Sequence, residues 1–171
     1  MTIIVKSPSS CSEQEQKSFC NLAVQGGEVQ NKGLLDLVTR AKVLAFLRID
    51  ENDVGIAGLK CPRAPYRQGV FKKSKSNFDP EDFSYELGWV YIMLHYQGQK
   101  YSRKLVEQVL KFADGQNVFA TSRSTQPRMH STLERCGFVK EGFAWTSARR
   151  PREKLLLFIR RASQVSFSEV Y

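Results

Sequence analysis

The sequence has little from which to build a metal centre or a disulfide framework. Four cysteines, Cys11, Cys20, Cys61 and Cys136, are spread over 171 residues with no Cys-x-x-Cys pair, and His95 and His130 are its only histidines. That spacing speaks against a zinc site and suits reduced thiols packed as small hydrophobes. No apolar run approaches the roughly 20 residues needed to cross a bilayer. The first ten residues hold one lysine and no apolar core, so no secretory signal is expected and the cytoplasm is the expected compartment. Internal repeats and low-complexity tracts are absent. So are two phosphate-binding signatures, the Gly-Lys-Ser/Thr of a Walker loop and the Gly-x-Gly-x-x-Gly of a dinucleotide fold.

What is present fits one globular domain: 42% hydrophobic and 25% charged residues. The net charge of +9 favours anionic partners such as a phosphorylated cofactor or nucleic acid. The charge is clustered. Residues 60–75 hold Lys60, Arg63, Arg67, Lys72, Lys73 and Lys75 with no acid, and residues 149–161 hold six cations against Glu153. Two solvated basic loops and a binding surface are both compatible with that pattern.

Thr2 to Lys6 reads as a strand. Ser12 and Glu15 have capping-box spacing, which predicts a helix over 13–24. A short helix follows at 33–39, then a hairpin of two apolar runs, 43–49 and 54–59, around a polar turn. Residues 61–80 carry three prolines and the first basic cluster, and read as a long basic insertion with at most a helical turn at 70–74. Phe83 to Leu94 is a strand too apolar on both faces to be an edge. An amphipathic helix to about Phe112, a strand at 118–122, a helix capped by Ser124 or Thr125, a strand to about Trp145 and a last strand at 154–160 complete the chain. The order is α/β, mixed, with hairpins first and βαβ units later.

The informative segment is Val90 to Leu110, where a buried strand runs into a Gly-containing turn that opens a helix. Free backbone N–H groups at such a helix start suit a pyrophosphate, and Lys100 and Arg103 add cations.

Here the sequence resembles the GNAT superfamily of acyl-CoA-dependent N-acyltransferases. In that family Gln/Arg-x-x-Gly-x-Gly/Ala opens the helix that holds the CoA pyrophosphate. The matching positions are Gln97, Gly98, Gln99, Lys100, Tyr101 and Ser102, with Lys100 where Gly is usual and Ser102 where Gly or Ala is. Lys100 is expected to keep helical or β dihedrals, since only positive φ demands Gly. Residues 126–138, ending in Gly137-Phe138, resemble the family's later helix and strand entry. Residues 117–122 resemble the strand that splays from the central one to admit the acyl-pantetheine arm. The likeness covers 2–161 apart from the insertion at 61–80, leaving a tail at 162–171. It implies a single GNAT-like domain with a mostly antiparallel mixed sheet, splayed at the cofactor cleft and flanked by helices.

The resemblance implies a cytoplasmic enzyme that moves an acetyl group from acetyl-CoA straight to a primary amine, with no metal. Such a transfer needs N–H donors for an oxyanion and a base for the ammonium. By resemblance the donors lie near Ile92 and Met93. Glu86, a carboxylate inside an apolar strand, is the candidate base, or else a structural partner of a cation. The family's thiol-protonating Tyr falls at Leu133, which leaves His130, on the same helix, as a candidate acid. His95 is a possible substrate or phosphate contact. Tyr66, Arg67 and Phe71, with Lys72 and Lys73, suit an acceptor that can be anionic, or form a loop that merely covers the core. A monomer or homodimer is expected, with no membrane. Two other functions stand beside the enzyme: a degenerate CoA-binding module and a basic RNA- or DNA-binding domain.

Overall fold

The computed structural model describes residues 1–27 and 29–162. Seven strands and five α-helices form one domain: β1 Thr2–Lys6, α1 Glu13–Gln25, α2 Leu34–Thr39, β2 Val43–Ile49, β3 Asn52–Lys60, α3 Ala64–Ser74, β4 Tyr85–Ile92, α4 Tyr101–Leu110, β5 Val118–Arg123, α5 Pro127–Arg135, β6 Val139–Thr146 and β7 Lys154–Arg160. The tail expected at 162–171 lies outside the described residues apart from Ala162. No helix among the described residues is long and apolar enough to cross a membrane.

Local chemistry explains most boundaries. The Ser12 hydroxyl accepts from the Glu15 N–H at 3.1 Å, and the Glu15 carboxylate accepts from the Ser12 N–H at 2.9 Å, so both arms of the capping box close. Helix α5 starts two residues later than Ser124 would set it and one later than Thr125 would: its N-cap is Gln126, with no side-chain cap.

The sheet order is β1-β2-β3-β4-β5-β7-β6, and only β4 and β5 run parallel. The second half holds one βαβ unit of adjacent strands, β4-α4-β5, and one split unit, β5-α5-β6, in which β7 is inserted antiparallel between two strands that run the same way. Strand alternation sorts the core into two faces. Ala45, Leu47, Ala57, Leu59, Val118 and Ala120 pack against α4. Leu44, Phe46 and Ile56 pack under α1 and α2.

The insertion at 61–80 is not a loop. It folds as α3, three turns long, with Pro65 in the first turn where its missing N–H costs nothing. Val70 and Phe71 are buried, and the Phe71 ring lies 5.0 Å from Phe83 and 5.4 Å from Phe119. Helix α3 thus continues the α1–α2 layer over the β5–β7 half of the sheet.

Candidate active site

Strands β4 and β5 share only two register pairs, Tyr85 with Val118 and Glu86 with Phe119. Beyond Glu86 the strands part, and a cleft of about 1230 Å³ opens between them. A bulge marks the same stretch of β4. Gly88 faces Gly58 and Tyr91 faces Ile56, so Trp89 and Val90 together oppose Ala57. Trp89 sits at φ 53°, a left-handed conformation that costs a non-glycine residue about 1–3 kcal/mol. Its buried indole N–H has no partner among the described residues.

Past the bulge, the Met93 N–H donates to the Val54 carbonyl at 2.9 Å. Antiparallel pairs alternate, so the Ile92–Gly55 pair turns its groups outward and the Ile92 N–H faces the side that β5 has left. Of the two expected donors, Ile92 is placed at the gap and Met93 is spent within the sheet. The Ile92 carbonyl accepts from Gln97 Nε2 at 2.8 Å, and the Gln97 N–H donates to the Leu94 carbonyl. Gln97 therefore ties the turn to the strand end.

Glu86 stands at the fork and is 2% exposed. Its Oε1 accepts the Tyr66 hydroxyl at 3.0 Å and lies 3.4 Å from Lys60 Nζ. Lys60 is the register partner of Glu86 across the β3–β4 ladder. Gly88 makes that reach possible, since a Cβ there would meet Lys60 Cε at 2.4 Å. Both contacts fall on one carboxylate oxygen, which leaves Oε2 for a ligand. Desolvation, reinforced by the Glu86 charge, raises the Tyr66 phenol well above its ordinary range, so Tyr66 remains a donor.

On the other face of the sheet, α4 begins without a side-chain cap. The N–H groups of Tyr101, Ser102 and Arg103 precede the first helical bond, Lys104 N–H to Lys100 carbonyl, and have no partner among the described residues. Gly98 has φ 83°. Lys100 has φ 60°, so the expectation of helical or β dihedrals there is corrected: the position is left-handed, and Lys bears the strain. A smaller pocket of about 260 Å³ beside this turn is lined by Lys100, Ser102, Arg103, Ser131, Thr132 and Arg135. Uncapped amides, hydroxyls and three cations fit a phosphorylated ligand such as CoA.

Helix α3 presents Tyr66, Gly69, Val70 and Lys73 to the large cleft, a stripe at i, i+3, i+4 and i+7. The other expected substrate residues lie elsewhere. Phe71 is core, and Arg67 donates to Glu81 Oε2 at 2.6 Å; neither lines the cleft. His130 is also withdrawn: its Nε2 bonds the Arg123 carbonyl at 2.9 Å, its ring packs on Phe158, and it lines neither pocket. His95 is exposed on the turn after β4. Leu133 is buried at the cleft wall. Desolvation raises the thiol of Cys61, which also lines the cleft, away from a reactive thiolate. Lys60 is the residue sequence reading missed. Its only signal was the β3–β4 register, which no periodicity reveals.

Known proteins share this architecture. Residues 30–138 match the family model for the acetyltransferase (GNAT) family. An acyl-CoA N-acyltransferase from Pseudomonas aeruginosa superposes with a TM-score of 0.66 at 16% identity, covering 93% of this chain and 98% of that one. The ribosomal-protein-S18-alanine N-acetyltransferase from Escherichia coli gives 0.67 at 11%, covering 99% and 100%. The protein yncA from Salmonella typhimurium, solved with its cofactor acetyl-CoA, gives 0.65 at 15%, covering 96% and 95%. No curated protein sequence matches the chain. With the family model spanning well over half of its length, the chain belongs to the GNAT acetyltransferase family.

Proposed function

We propose that this protein transfers an acetyl group from acetyl-CoA directly to a primary amine. The observation that carries the reading is Glu86: a buried carboxylate at the fork of β4 and β5, with one oxygen held and one left for a ligand. Acetyl-CoA supplies the activated acyl group and a thiolate that leaves near the ordinary thiol pKa of about 8.5.

The chain's own residues do the rest. Amides of Gly98 to Arg103, with Lys100 and Arg103, hold the diphosphate at the start of α4. The gap between β4 and β5 receives the pantetheine arm. The Ile92 N–H donates to the thioester oxygen and strengthens as negative charge grows there. Glu86 Oε2 takes the proton from the acceptor ammonium, while Tyr66 and Lys60 fix Oε1. No acid is assigned to the thiolate, because Leu133 occupies the position where the family carries Tyr. That leucine also favours a second reading, CoA binding without turnover.

Calorimetry with acetyl-CoA tests the binding half. A ligand at 100 times its Kd stabilises the fold by about 2.7 kcal/mol. Ser102→Glu places a carboxylate among the amides and abolishes that binding with the fold intact. A titration without heat and a Tm indifferent to millimolar acetyl-CoA overturn the assignment. Free-thiol release on a panel of amines then separates turnover from binding alone.

A further inference from the structure

Among the described residues, nine cationic side chains line the large cleft against one carboxylate, Glu86. Lys100 and Arg128 belong to the turn before α4 and the start of α5, beside the proposed CoA site; Arg123, at the end of β5, is paired with Glu153, and Lys60 is engaged with Glu86. Five remain on the acceptor side: Arg40 after α2, Arg63 and Lys73 at the two ends of α3, and Arg149 and Arg150 in the β6–β7 loop. They come from three separate segments, and the CoA diphosphate, already served by α4, does not account for them.

Among the described residues, acids offset only part of the charge on Arg40, Arg63 and Arg150. Arg40 and Arg63 share the single carboxylate of Asp36, at 3.0 and 3.9 Å. Arg150 shares Glu153 with Arg123, at 3.6 and 3.3 Å. Lys73 has no acidic partner among the described residues. The walls are also tied together, because Arg150 Nη2 donates to the Gly27 carbonyl at 2.6 Å and joins the β6–β7 loop to the end of α1. A bounded cleft of one sign concentrates counter-charged ligands and repels a plain ammonium. We infer that the acceptor is a small primary amine that itself carries a carboxylate or phosphate, held by the cations of α3 and the β6–β7 loop. The same field favours loss of the ammonium proton to Glu86, since neighbouring like charge lowers an ammonium pKa. This inference rests on the acyltransferase reading of the cleft.

The test keeps the two apart. The protein is first saturated with CoA, which occupies the diphosphate site so that an added anion cannot bind there. Ethanolamine phosphate and ethanolamine, then β-alanine and β-alaninamide, are titrated into that complex by calorimetry. The anionic member of at least one pair binds about tenfold or more tighter than its neutral partner, and the preference shrinks as salt screens it. The pair that shows it distinguishes a phosphate-bearing from a carboxylate-bearing acceptor. Exposed Lys73 tolerates Lys73→Gln, which cuts the preference about threefold or more. Equal binding within both pairs, no binding of any of the four, or a preference untouched by Lys73→Gln overturns the inference. Failure of CoA itself to bind strikes instead at the acyltransferase reading.

Discussion

Burying a carboxylate is costly unless it is paired, and among the described residues Glu86 is paired on one oxygen only. Glu86→Gln keeps shape and packing but cannot accept the ammonium proton. Its kcat/KM at neutral pH falls by about 10²–10⁴. The loss shrinks as pH rises, because more acceptor is then already deprotonated. A pH–rate profile beside a melting curve checks this: a purely structural Glu86 would cost stability and leave activity per folded molecule intact. Tyr66→Phe removes one hydrogen bond from Oε1, lowers kcat with acetyl-CoA affinity unchanged, and changes stability by only about 1 kcal/mol. It also alters alkaline behaviour. With its pKa raised in the fold, Tyr66 keeps its proton above the unfolded value of about 10, while the unfolded chain loses it. Stability therefore falls as pH climbs past that point, and Tyr66→Phe flattens the fall, read from Tm against pH. Glu86 was legible in the sequence because a charge inside an apolar strand needs a reason. Its partners were not, since Lys60 reaches it through strand register and Tyr66 through a helix whose apolar positions carry almost no period. Missing that helix is also why Phe71 and Arg67 read as substrate contacts, although one is core and the other clamps Glu81.

The β4 bulge and the turn into α4 are the two elements that make the cleft, and each carries a test. A Cβ at Gly58 would lie 2.6 Å from Trp89 Cε3, so Gly58→Ala pushes directly on the bulge. Overpacking of this kind costs about 1–3 kcal/mol. Because the bulge sets the fork, acetyl-CoA affinity falls with it; calorimetry that finds affinity intact would separate bulge from binding. Lys100→Gly relieves left-handed strain of about 1–2 kcal/mol, offset by the extra freedom glycine brings to the unfolded chain. The expected result is a Tm unchanged or modestly raised together with weaker acetyl-CoA binding, because a cation leaves the phosphate pocket. The strands and the α4 helix were readable from period, and α1 from its capping box. The bulge was not, because it depends on two residues opposing one across a ladder, and neither glycine announces its partner.

The molecule as a whole places its chemistry on two faces of one sheet: uncapped amides and phosphate-matched cations at α4 on one side, Glu86 and the α3 wall on the other. The gap that joins them exists because β4 and β5 are the only parallel neighbours and pair for just two residues. Element order exposed this architecture in the sequence, together with a turn that departs from the family pattern at two positions. The convergence of two distant basic segments on one cleft needed the fold, since α3 and the β6–β7 loop lie far apart in the sequence, with β4, α4, β5, α5 and β6 between them. The account stands or falls on transfer itself. The most direct measurement is free-thiol release from acetyl-CoA in the presence of primary amines, with the unsubstituted protein and Glu86→Gln run side by side. The account predicts amine-dependent thiol release by the first and, at neutral pH, a loss of about 10²–10⁴ in the second. Thiol release no faster than in buffer with every amine, or equally fast from both proteins, would contradict it.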